Sequence, residues 1–264
     1  MAQILKKTYN LFFNNNRLQR IWILAKTDFK QRYYGSSLGL LWALINPLCQ
    51  LVIYYSVFTL IFQGSVPNFA LYIFSGLILW MFFTEATKKG IHVLNSKRYL
   101  LENIPINKFD IYLSSGISAF LGVLFNILIF FIVSIFFDIK YSYNLLFLPL
   151  ILINLFIFVL SVTFFLSTIY IYIRDLDHIW DILLLAGLWT IPIIWDQAFV
   201  INKLQFLLYL HPLTGILINI REILLYDTFP DLFILFYDFV YSLLLFFTGL
   251  FFVNKFSHKA LEMV

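Results

Sequence analysis

Residues 26–62 read KTDFKQRYYGSSLGLLWALINPLCQLVIYYSVFTLIF, and this stretch decides the fold. Its second part, residues 38–62, has no charged side chain and is long enough to cross a bilayer, which takes about 20 apolar residues. Its first part mixes basic and apolar side chains, and the two parts meet at residues 33–37, YYGSS. A charged, amphipathic helix that leads directly into a spanning helix is a means of passing force from the cytosolic face into a membrane.

The composition makes the bilayer the solvent of this chain. Its 264 residues are 62% hydrophobic and 12% charged, whereas a soluble domain has roughly 25% charged residues. Aromatic residues make up 20% of the chain, more than the belts at the membrane interfaces use. Cys49 is the single cysteine, which excludes an intramolecular disulfide framework and a cysteine-based metal site. Residues 1–16 have no long apolar core, so no cleaved signal peptide is expected.

Turn clusters and charged loops divide the apolar residues into six segments. Their lengths predict six transmembrane helices in an all-α integral membrane fold. The predicted spans are 38–62, 69–86, 110–137, 145–173, 178–195 and 232–254, within a single transmembrane domain over residues 1–264. The fifth differs from the others, because its uncharged part, 182–195, is short and contains Pro192.

Two further segments are predicted to lie at the membrane surfaces. In residues 17–34, apolar side chains recur at three- and four-residue steps, which predicts an N-terminal amphipathic helix in the interface plane. The alternative is an ordinary basic flank beside the first span. This apolar face consists of Leu18, Ile21, Trp22, Ala25 and Phe29. Residues 197–229 alternate short apolar runs with polar residues, which predicts short re-entrant helices between the fifth and sixth spans, dipping into the outer leaflet.

The distribution of basic residues sets the predicted topology. Six spans place both termini on one side, together with all but three of the 18 Lys and Arg residues. The exceptions are Lys140, Lys203 and Arg221. The positive-inside rule therefore predicts cytosolic termini, and this bias explains the basic pI without nucleic acid as a partner.

Several chemistries are excluded by the motifs that the sequence lacks. No glycine is followed by lysine, so there is no Walker A phosphate loop. The four histidines are scattered and form no H-E-x-x-H pair, which argues against a catalytic zinc site. The first four predicted spans have no charged residue at their centres, unlike an ion-coupled transporter. Asp238 lies inside the sixth predicted span, and we expect an interfacial acid that reaches water rather than a proton relay.

Four blocks of the sequence match motifs of a known family, in the same order. The first, residues 28–47, has a D-x-K-x-R-Y approach, a G-S-x-L-G turn and an L-W-x-x-x-N-P span. The others are S-G-x-x-x-W-x-F-F at 75–83, F-R-D-L-x-H at 172–178 and x-N-P-M-T-G at 210–215. With these blocks the chain resembles the membrane subunits of bacterial polysaccharide ABC exporters, the type-2 ABC permeases that export O-antigen, capsule or teichoic acid. In the fourth block, His211 stands where the family usually has asparagine.

The resemblance implies a division of labour between two kinds of subunit. Two copies of this chain would pair with two copies of a separate ATP-binding subunit, which would hold ATP and Mg; no cofactor is expected in this chain. The complex would move a lipid-linked glycan outward across a bacterial inner or plasma membrane. Residues 95–103 would form a coupling helix on the ATPase, the helix at 17–34 would lie against it, and residues 197–229 would close the outer end. The expected coupling residues are Lys97, Arg98, Tyr99, Leu100, Leu101 and Glu102.

Aromatic and basic residues are the candidates for contact with such a cargo. Sugars stack on aromatic faces and exchange hydrogen bonds with hydroxyls, and the candidates for the path are Tyr54, Tyr55, Trp189 and Trp195. The alternative for each is a packing or interface aromatic. Lys30 and Arg32 at the cytosolic entrance suit a pyrophosphate group and equally suit anionic lipid headgroups.

Residues 174–178 form the densest charged cluster between predicted spans. We expect Arg174, Asp175, Asp177 and His178 to form a local ion-pair knot that holds the cytosolic ends of the fourth and fifth spans. The same R-D-x-D-H run is the one candidate centre for an alternative, an integral membrane enzyme acting on lipid-linked sugars. A type-2 permease for a drug or lipid is the nearer alternative, and a plain channel or scaffold is a third. The density of Tyr and Trp favours a sugar cargo.

Overall fold

The regular structure in the described part of the chain is entirely helical, as a computed structural model shows. This model describes residues 17–32, 34–62, 67–104, 106–137 and 139–262, with the backbone alone described at 40, 58–62 and 257–262. The all-α prediction is confirmed. The helices are α1 Arg17–Gln31, α2 Trp42–Phe62, α3 Phe69–Ile91, α4 Val93–Ser96, α5 Arg98–Asn103, α6 Lys108–Ser134, α7 Leu148–Tyr172, α8 Leu176–Thr190, α9 Gln197–Lys203, α10 Phe206–Leu210, α11 Pro212–Leu224 and α12 Leu232–Glu262.

Four of these helices are long and apolar enough to cross a membrane. They lie within Phe69–Ile91, Lys108–Phe137, Tyr143–Tyr172 and Leu232–Phe256. Helix α2 has a shorter apolar part, Trp42–Val57, and the 15 residues of α8 extend about 22 Å. A hydrocarbon core is about 30 Å thick, so the predicted first and fifth spans, and the count of six, stay predictions.

Helix α3 is the centre of the bundle. Its side chains are buried on all sides from Ala70 to Trp80, as expected for a helix that is hydrophobic all round. Helices α2, α6, α7 and α11 pack around it. Phe74 stacks on Phe130 of α6, and Phe83 stacks on Phe158 of α7. The positions of these four helices therefore depend on their contacts with α3.

Helix α1 packs on the protein with part of the face that was predicted to sink into lipid. Ile21, Ala25 and Phe29 are buried in the contact with α6, and the Phe29 ring stacks on Phe125 at 5.8 Å. The prediction that one continuous apolar face meets the membrane is therefore wrong for these three residues. Side chains spaced by four along a helix share one face, and a neighbouring helix covers that face here. Leu18 and Trp22 remain exposed.

Polar contacts give α1 the same direction as α6. At its start, Arg17 donates to both carboxylate oxygens of Asp110, with its Nε 2.8 and 3.0 Å away. Near its end, Phe29 meets Phe125. Twelve residues of α1 thus run beside fifteen of α6, which is about 18 Å against about 22 Å. The amphipathic helix and the start of α6 form one unit.

The predicted coupling stretch, 95–103, is divided into two short helices. Helix α4 ends at Ser96, and α5 begins at Arg98 after a turn at Lys97. Lys97 pairs with Asp28 of α1, which ties the turn to the amphipathic helix. Helix α5 ends before Ile104, which is extended, as a residue that precedes a proline tends to be.

The helix at the predicted fifth span ends five residues earlier than expected. Helix α8 stops at Thr190, and Ile191 is extended, with φ −81° and ψ 139°. Pro192 follows, and it disfavours the helical conformation of the residue before it. Residues 191–194 are buried as an irregular segment. Trp195, expected inside the span, therefore lies beyond the helix.

The segment before the last helix contains three short helices, α9, α10 and α11, and penetrates deep into the bundle. His211, between α10 and α11, packs edge-on against Phe83 and Phe158. Phe83 lies about 21 Å along α3 from its start. Helix α11 is buried along nearly its whole length, so its backbone is packed in protein, as a re-entrant segment requires. Helix α12 continues to Glu262, past the predicted end at 254.

Two charged side chains of α11 and α12 are fully buried. Arg221 of α11 is 0% exposed. Asp238 of α12, expected to reach water, is also 0% exposed and lies against Gly215 of α11. The prediction for Asp238 is wrong because α11 packs inside the bundle and covers that side chain.

Candidate functional site

A charged cleft of about 660 Å³ opens where α1, α3, α4, α6 and α8 meet. It lies at the end of α3 and beside α1, on the side predicted to be cytosolic. Its lining is mostly polar and carries both signs of charge. The lining residues are Asp28, Gln31, Arg32, Lys88, Lys89, His92, Val93, Ser96, Lys97, Ser115, Ser118, Asp177 and Asp181. We call this the entrance cleft.

Ion pairs between helices hold the rim of the entrance cleft. Lys88 of α3 pairs with Asp181 of α8 at 2.6 Å. One turn further, His92 Nε2 lies 3.2 Å from a carboxylate oxygen of Asp177. Lys88 and His92 are four residues apart, and so are Asp177 and Asp181. The two pairs therefore fasten the end of α3 to the start of α8.

This arrangement replaces the predicted knot at 174–178. In the described part of the chain, Arg174 forms no ion pair with Asp175 or Asp177, and Arg174, Asp175 and His178 are exposed. Asp177 pairs instead with His92. The predicted ion-pair knot does not form because Asp177 lies in the first turn of α8 and faces the end of α3. Its partner there, His92, is too far away in the chain for local spacing to reveal.

A second cleft, of about 580 Å³, continues from the first along α2 and α3. We call it the inner cleft. Asn46, Gln50 and Tyr54 of α2 line it and are spaced by four residues, so they share one face of the helix. Gln50 Nε2 donates to Asn46 Oδ1 at 3.3 Å. The lining from α3 comprises Leu77, Trp80, Met81, Thr84, Glu85 and Lys89, and Arg32 also contributes. The uncharged stretch that opened the sequence therefore has one polar and aromatic face.

Arg32, Glu85 and Lys89 lie at the junction of the two clefts, which we call the neck. Arg32 and Lys89 line both clefts. Glu85 Oε1 pairs with Arg32 Nη1 and accepts from Lys89 Nζ at 2.8 Å. Arg32 Nη2 also donates to Ser118 Oγ of α6 at 3.0 Å. The neck thus joins the end of α1 to α3 and α6.

The structure brings some of the predicted cargo residues together and separates others. Tyr54 lines the inner cleft and Arg32 lines both clefts. Their predicted partners Tyr55 and Lys30 are exposed and are not among the residues that line these two described clefts. One helical step of about 100° separates Tyr54 from Tyr55, so the two rings leave α2 in different directions.

The two predicted tryptophans lie away from both clefts. Trp189 is exposed near the end of α8. Trp195 is exposed beyond that helix, and its carbonyl accepts a hydrogen bond from the Tyr72 hydroxyl at 2.7 Å. Trp80 of α3, which sequence analysis did not select, is the tryptophan that lines the inner cleft.

The predicted coupling residues form an exposed projection beside the entrance cleft. No residue of α5 is buried, and Tyr99 is 75% exposed. Arg98 Nε donates to Glu102 Oε1 at 2.6 Å within the helix. Leu100 is half-buried, and Leu101 packs against the apolar cluster of α4, α6 and α7. Lys97 turns back to Asp28 and lines the entrance cleft.

Sequence reasoning missed several residues of the site. Asn46 and Gln50 precede Tyr54 at steps of four residues, and this spacing could have shown that the three side chains share one face of α2. Glu85 and Lys89 bound the long uncharged run on its far side, and their pairing with Arg32 depends on tertiary packing. A usable rule would search an apolar helix for polar residues at steps of four.

The fold and the two clefts define a multi-pass helical membrane protein with a polar route into its bundle. The ABC-2 type transporter family model matches residues 19–225, and the chain belongs to this family. The resemblance noted above is thereby confirmed at the level of the family. This family consists of transport subunits of the membrane and implies an ABC-type ATP-binding partner.

Three relatives extend the comparison over most of the chain. The chain is 24% identical over 247 residues to an O-antigen export system permease protein RfbA of Klebsiella pneumoniae, covering 93% of this chain and 91% of the relative. A second protein of that name from Klebsiella pneumoniae is 24% identical over 220 residues, covering 83% and 84%. One from Myxococcus xanthus is 23% identical over 210 residues, covering 79% and 81%.

Proposed function

We propose that this chain is the transmembrane subunit of an ATP-driven exporter that moves a lipid-linked polysaccharide from the cytosolic to the outer face of a bacterial inner or plasma membrane. The cargo class comprises O-antigen, capsule and teichoic acid. The inner cleft carries the proposal, because it places amide and aromatic side chains along α2 and α3. The names of the relatives, O-antigen export permeases, support the same cargo.

The inner cleft has the chemistry that a sliding sugar chain needs. Asn46 and Gln50 offer donors and acceptors to hydroxyl groups. Tyr54 and Trp80 offer flat faces with a polar edge. These groups line an open cleft rather than a closed pocket. Many weak contacts along one face suit a polymer that has to keep moving.

The entrance cleft suits the charged end of the same cargo. Arg32, Lys88, Lys89 and Lys97 line it, and cations bind a diphosphate by charge-assisted hydrogen bonds. Arg32 takes this role, and the exposed Lys30 faces lipid headgroups or the partner. The cargo would pass from the entrance cleft to the inner cleft through the neck.

The energy source in this proposal is a separate subunit. Two copies of the chain form a homodimer with two ATP-binding subunits, which hold ATP and Mg. Helix α5 projects from the side of the entrance cleft with no buried side chain, as a docking element requires. Lys97 couples it to α1 through Asp28, so movement of α5 would be passed to α1 and to the neck. Both termini are cytosolic in this arrangement.

The neighbouring tyrosines of α2 test the proposed path. Tyr54→Leu removes an aromatic face and a hydroxyl from the inner cleft, so we expect export to fall about tenfold, the effect of losing one stacked sugar contact of about 1.4 kcal/mol. Tyr55→Leu is the matched control, because the same change falls on an exposed side chain outside the described clefts. Export is measured as glycan at the cell surface per amount of permease in the membrane.

The comparison of the two variants decides the proposal. Accumulation of lipid-linked glycan on the cytosolic side in Tyr54→Leu cells, with normal levels in Tyr55→Leu cells, would support it. If deletion of the whole permease leaves both the surface glycan and its lipid-linked precursor unchanged, the protein is no polysaccharide exporter.

A further inference from the structure

The neck carries more positive than negative charge. Glu85 receives two cations, Arg32 from the turn after α1 and Lys89 from α3, on the same oxygen. The other ion pairs that border the entrance cleft match one basic residue with one acid, as Lys88 does with Asp181. Among the described residues that line the two clefts, Arg32 and Lys89 are the two cations that share one carboxylate.

The neck also holds a buried donor with nothing to donate to. Arg32 Nε is buried and has no hydrogen-bond partner among the described residues. Its Nη1 and Nη2 are taken by Glu85 and Ser118. A buried polar group without a partner costs about 1–3 kcal/mol, so an arginine in this state is short of one acceptor. A carboxylate offers two oxygens as acceptors, whereas a diphosphate offers the non-bridging oxygens of two phosphates.

The neck has room for a larger anion than Glu85. Both cations border open clefts on two sides. On the third side, Gly122 of α6 faces the pair, and a Cβ there would be 3.9 Å from Arg32 Nη1 and 4.0 Å from Glu85 Oε2. Glu85 itself is about one-third exposed. Its side chain can therefore turn into the cleft and leave the two cations in place.

We propose that Arg32 and Lys89 form a binding site for a phosphate-bearing group, and that Glu85 is a displaceable counter-ion that occupies the site until that group arrives. This inference rests on the proposed function in taking the diphosphate end of the lipid-linked cargo as the ligand. The carboxylate holds the neck shut by joining α1 to α3. A phosphate group replaces it, satisfies Arg32 Nε as well, and releases Glu85 into the cleft.

The exchange makes the neck selective. A neutral sugar cannot displace a carboxylate from two cations, so a chain without its anionic end would leave the neck shut. A diphosphate carries more charge and more acceptor oxygens than one carboxylate, and its charge-assisted hydrogen bonds can engage both cations at once. The proposed site therefore admits a cargo by its charged end first.

Binding of inorganic pyrophosphate to the full-length chain in nanodiscs of zwitterionic lipid tests this site. Glu85→Gln removes the competing charge at constant size, so we expect pyrophosphate to bind at least about tenfold more tightly than to the wild type, since like charges at one site oppose each other strongly. Arg32→Gln and Lys89→Gln should each weaken binding about tenfold. Glu85→Asp keeps the charge on a shorter side chain and should fall between Glu85→Gln and the wild type.

A matched control excludes a general charge effect. Glu222→Gln makes the same change on a half-buried glutamate of α11 that lines neither of the two described clefts, and should bind pyrophosphate like the wild type. Equal affinity of Glu85→Gln, Glu85→Asp and wild type, all eluting as folded protein, would overturn the inference. The inference would also be overturned if Glu222→Gln raised the affinity for pyrophosphate as much as Glu85→Gln does.

Further arms separate the sources of the phosphate group and the two proposals. If phosphatidylglycerol in the nanodiscs abolishes pyrophosphate binding, lipid headgroups occupy the site, and the assignment to cargo is overturned. Weak binding of inorganic phosphate beside tight binding of pyrophosphate supports a diphosphate ligand. If the purified chain binds pyrophosphate tightly but its deletion from the cell does not change glycan export, the binding site stands and the proposed function is overturned. If export depends on the chain but Glu85→Gln does not change pyrophosphate binding, the proposed function stands and the site is overturned.

Discussion

At the scale of single residues, Arg221, the buried arginine of α11, uses all of its side-chain nitrogens as hydrogen-bond donors. Arg221 Nη1 donates to the carbonyl of Pro192 at 2.6 Å, and its Nη2 donates to the carbonyls of Ile193 at 2.8 Å and Tyr72 at 3.2 Å. Its guanidinium carbon lies 3.5 Å from the centre of the Tyr72 ring. One side chain thus joins α11, α3 and the irregular segment after α8.

We expect Arg221→Met to destabilise the protein by about 3 kcal/mol or more, because a buried donor set is lost and its carbonyl partners stay buried. The measurement is thermal unfolding of the purified chain in detergent. Lys203→Met is the control, since Lys203 is exposed and lies 5.4 Å from the Phe199 ring, and we expect it to change stability by less than about 0.5 kcal/mol. Equal effects of the two substitutions would show that the Arg221 bonds contribute nothing special.

At the scale of helices, close approach depends on small residues at a few positions. Gly90 of α3 lies against α7, where an added Cβ would be 2.2 Å from the methyl carbon of Thr163. Such a distance requires the helices to move apart or the threonine to turn. This contact is near the end of α3, where the ion pairs of the entrance cleft begin.

Gly90→Ala should therefore destabilise the α3–α7 contact by about 1–3 kcal/mol, the cost of overpacking. Thr163→Ala removes the clashing methyl group, so we expect the double variant to recover most of that loss. Thermal unfolding of the four proteins of this double-mutant cycle measures the coupling. Strictly additive effects would contradict the contact, because the two substitutions would then act independently.

Helix α1 connects the turn at Lys97 with the neck. Its buried face packs on α6, while Asp28 reaches the turn at Lys97 and Arg32 reaches the neck. The helix therefore links the proposed docking element to the point where a cargo would enter. This link is shorter than a route through the membrane spans.

At the scale of the whole molecule, assembly with a partner should depend on the projecting helix α5. Tyr99 is exposed, and no residue of α5 is buried. We expect Tyr99→Ala to lower copurification of the ATP-binding partner several-fold, since exposed aromatic side chains are frequent anchors of interfaces. The stability of the isolated chain should stay the same.

Quantitative mass spectrometry of the complex isolated from native membranes measures the partner. Tyr143→Ala is the control, because Tyr143 is equally exposed but lies on the opposite side of the predicted membrane. Undiminished copurification with Tyr99→Ala would remove Tyr99 from the docking surface. A loss with both variants would point to general damage.

The sequence by itself determined the class of this protein and most of its helices. In a bilayer every backbone polar group must be bonded within its own helix, so length, lack of charge and breaks at turn clusters are enough to place α3, α6, α7 and α12. Four motif blocks in register were enough to indicate the family. Helix ends at Thr190 and Asn103 follow from the prolines nearby.

The tertiary structure alone decided which faces meet. Spacing alone places Asn46, Gln50 and Tyr54 on one face of α2, but it does not say which face of that helix meets α3. The packing decides that Tyr54 lines the inner cleft and that Tyr55 does not. The pairing of Asp177 with His92 and of Glu85 with Arg32 joins residues far apart in the chain. The burial of Arg221 and Asp238 has the same cause, because each depends on how the helices are packed and not on local spacing.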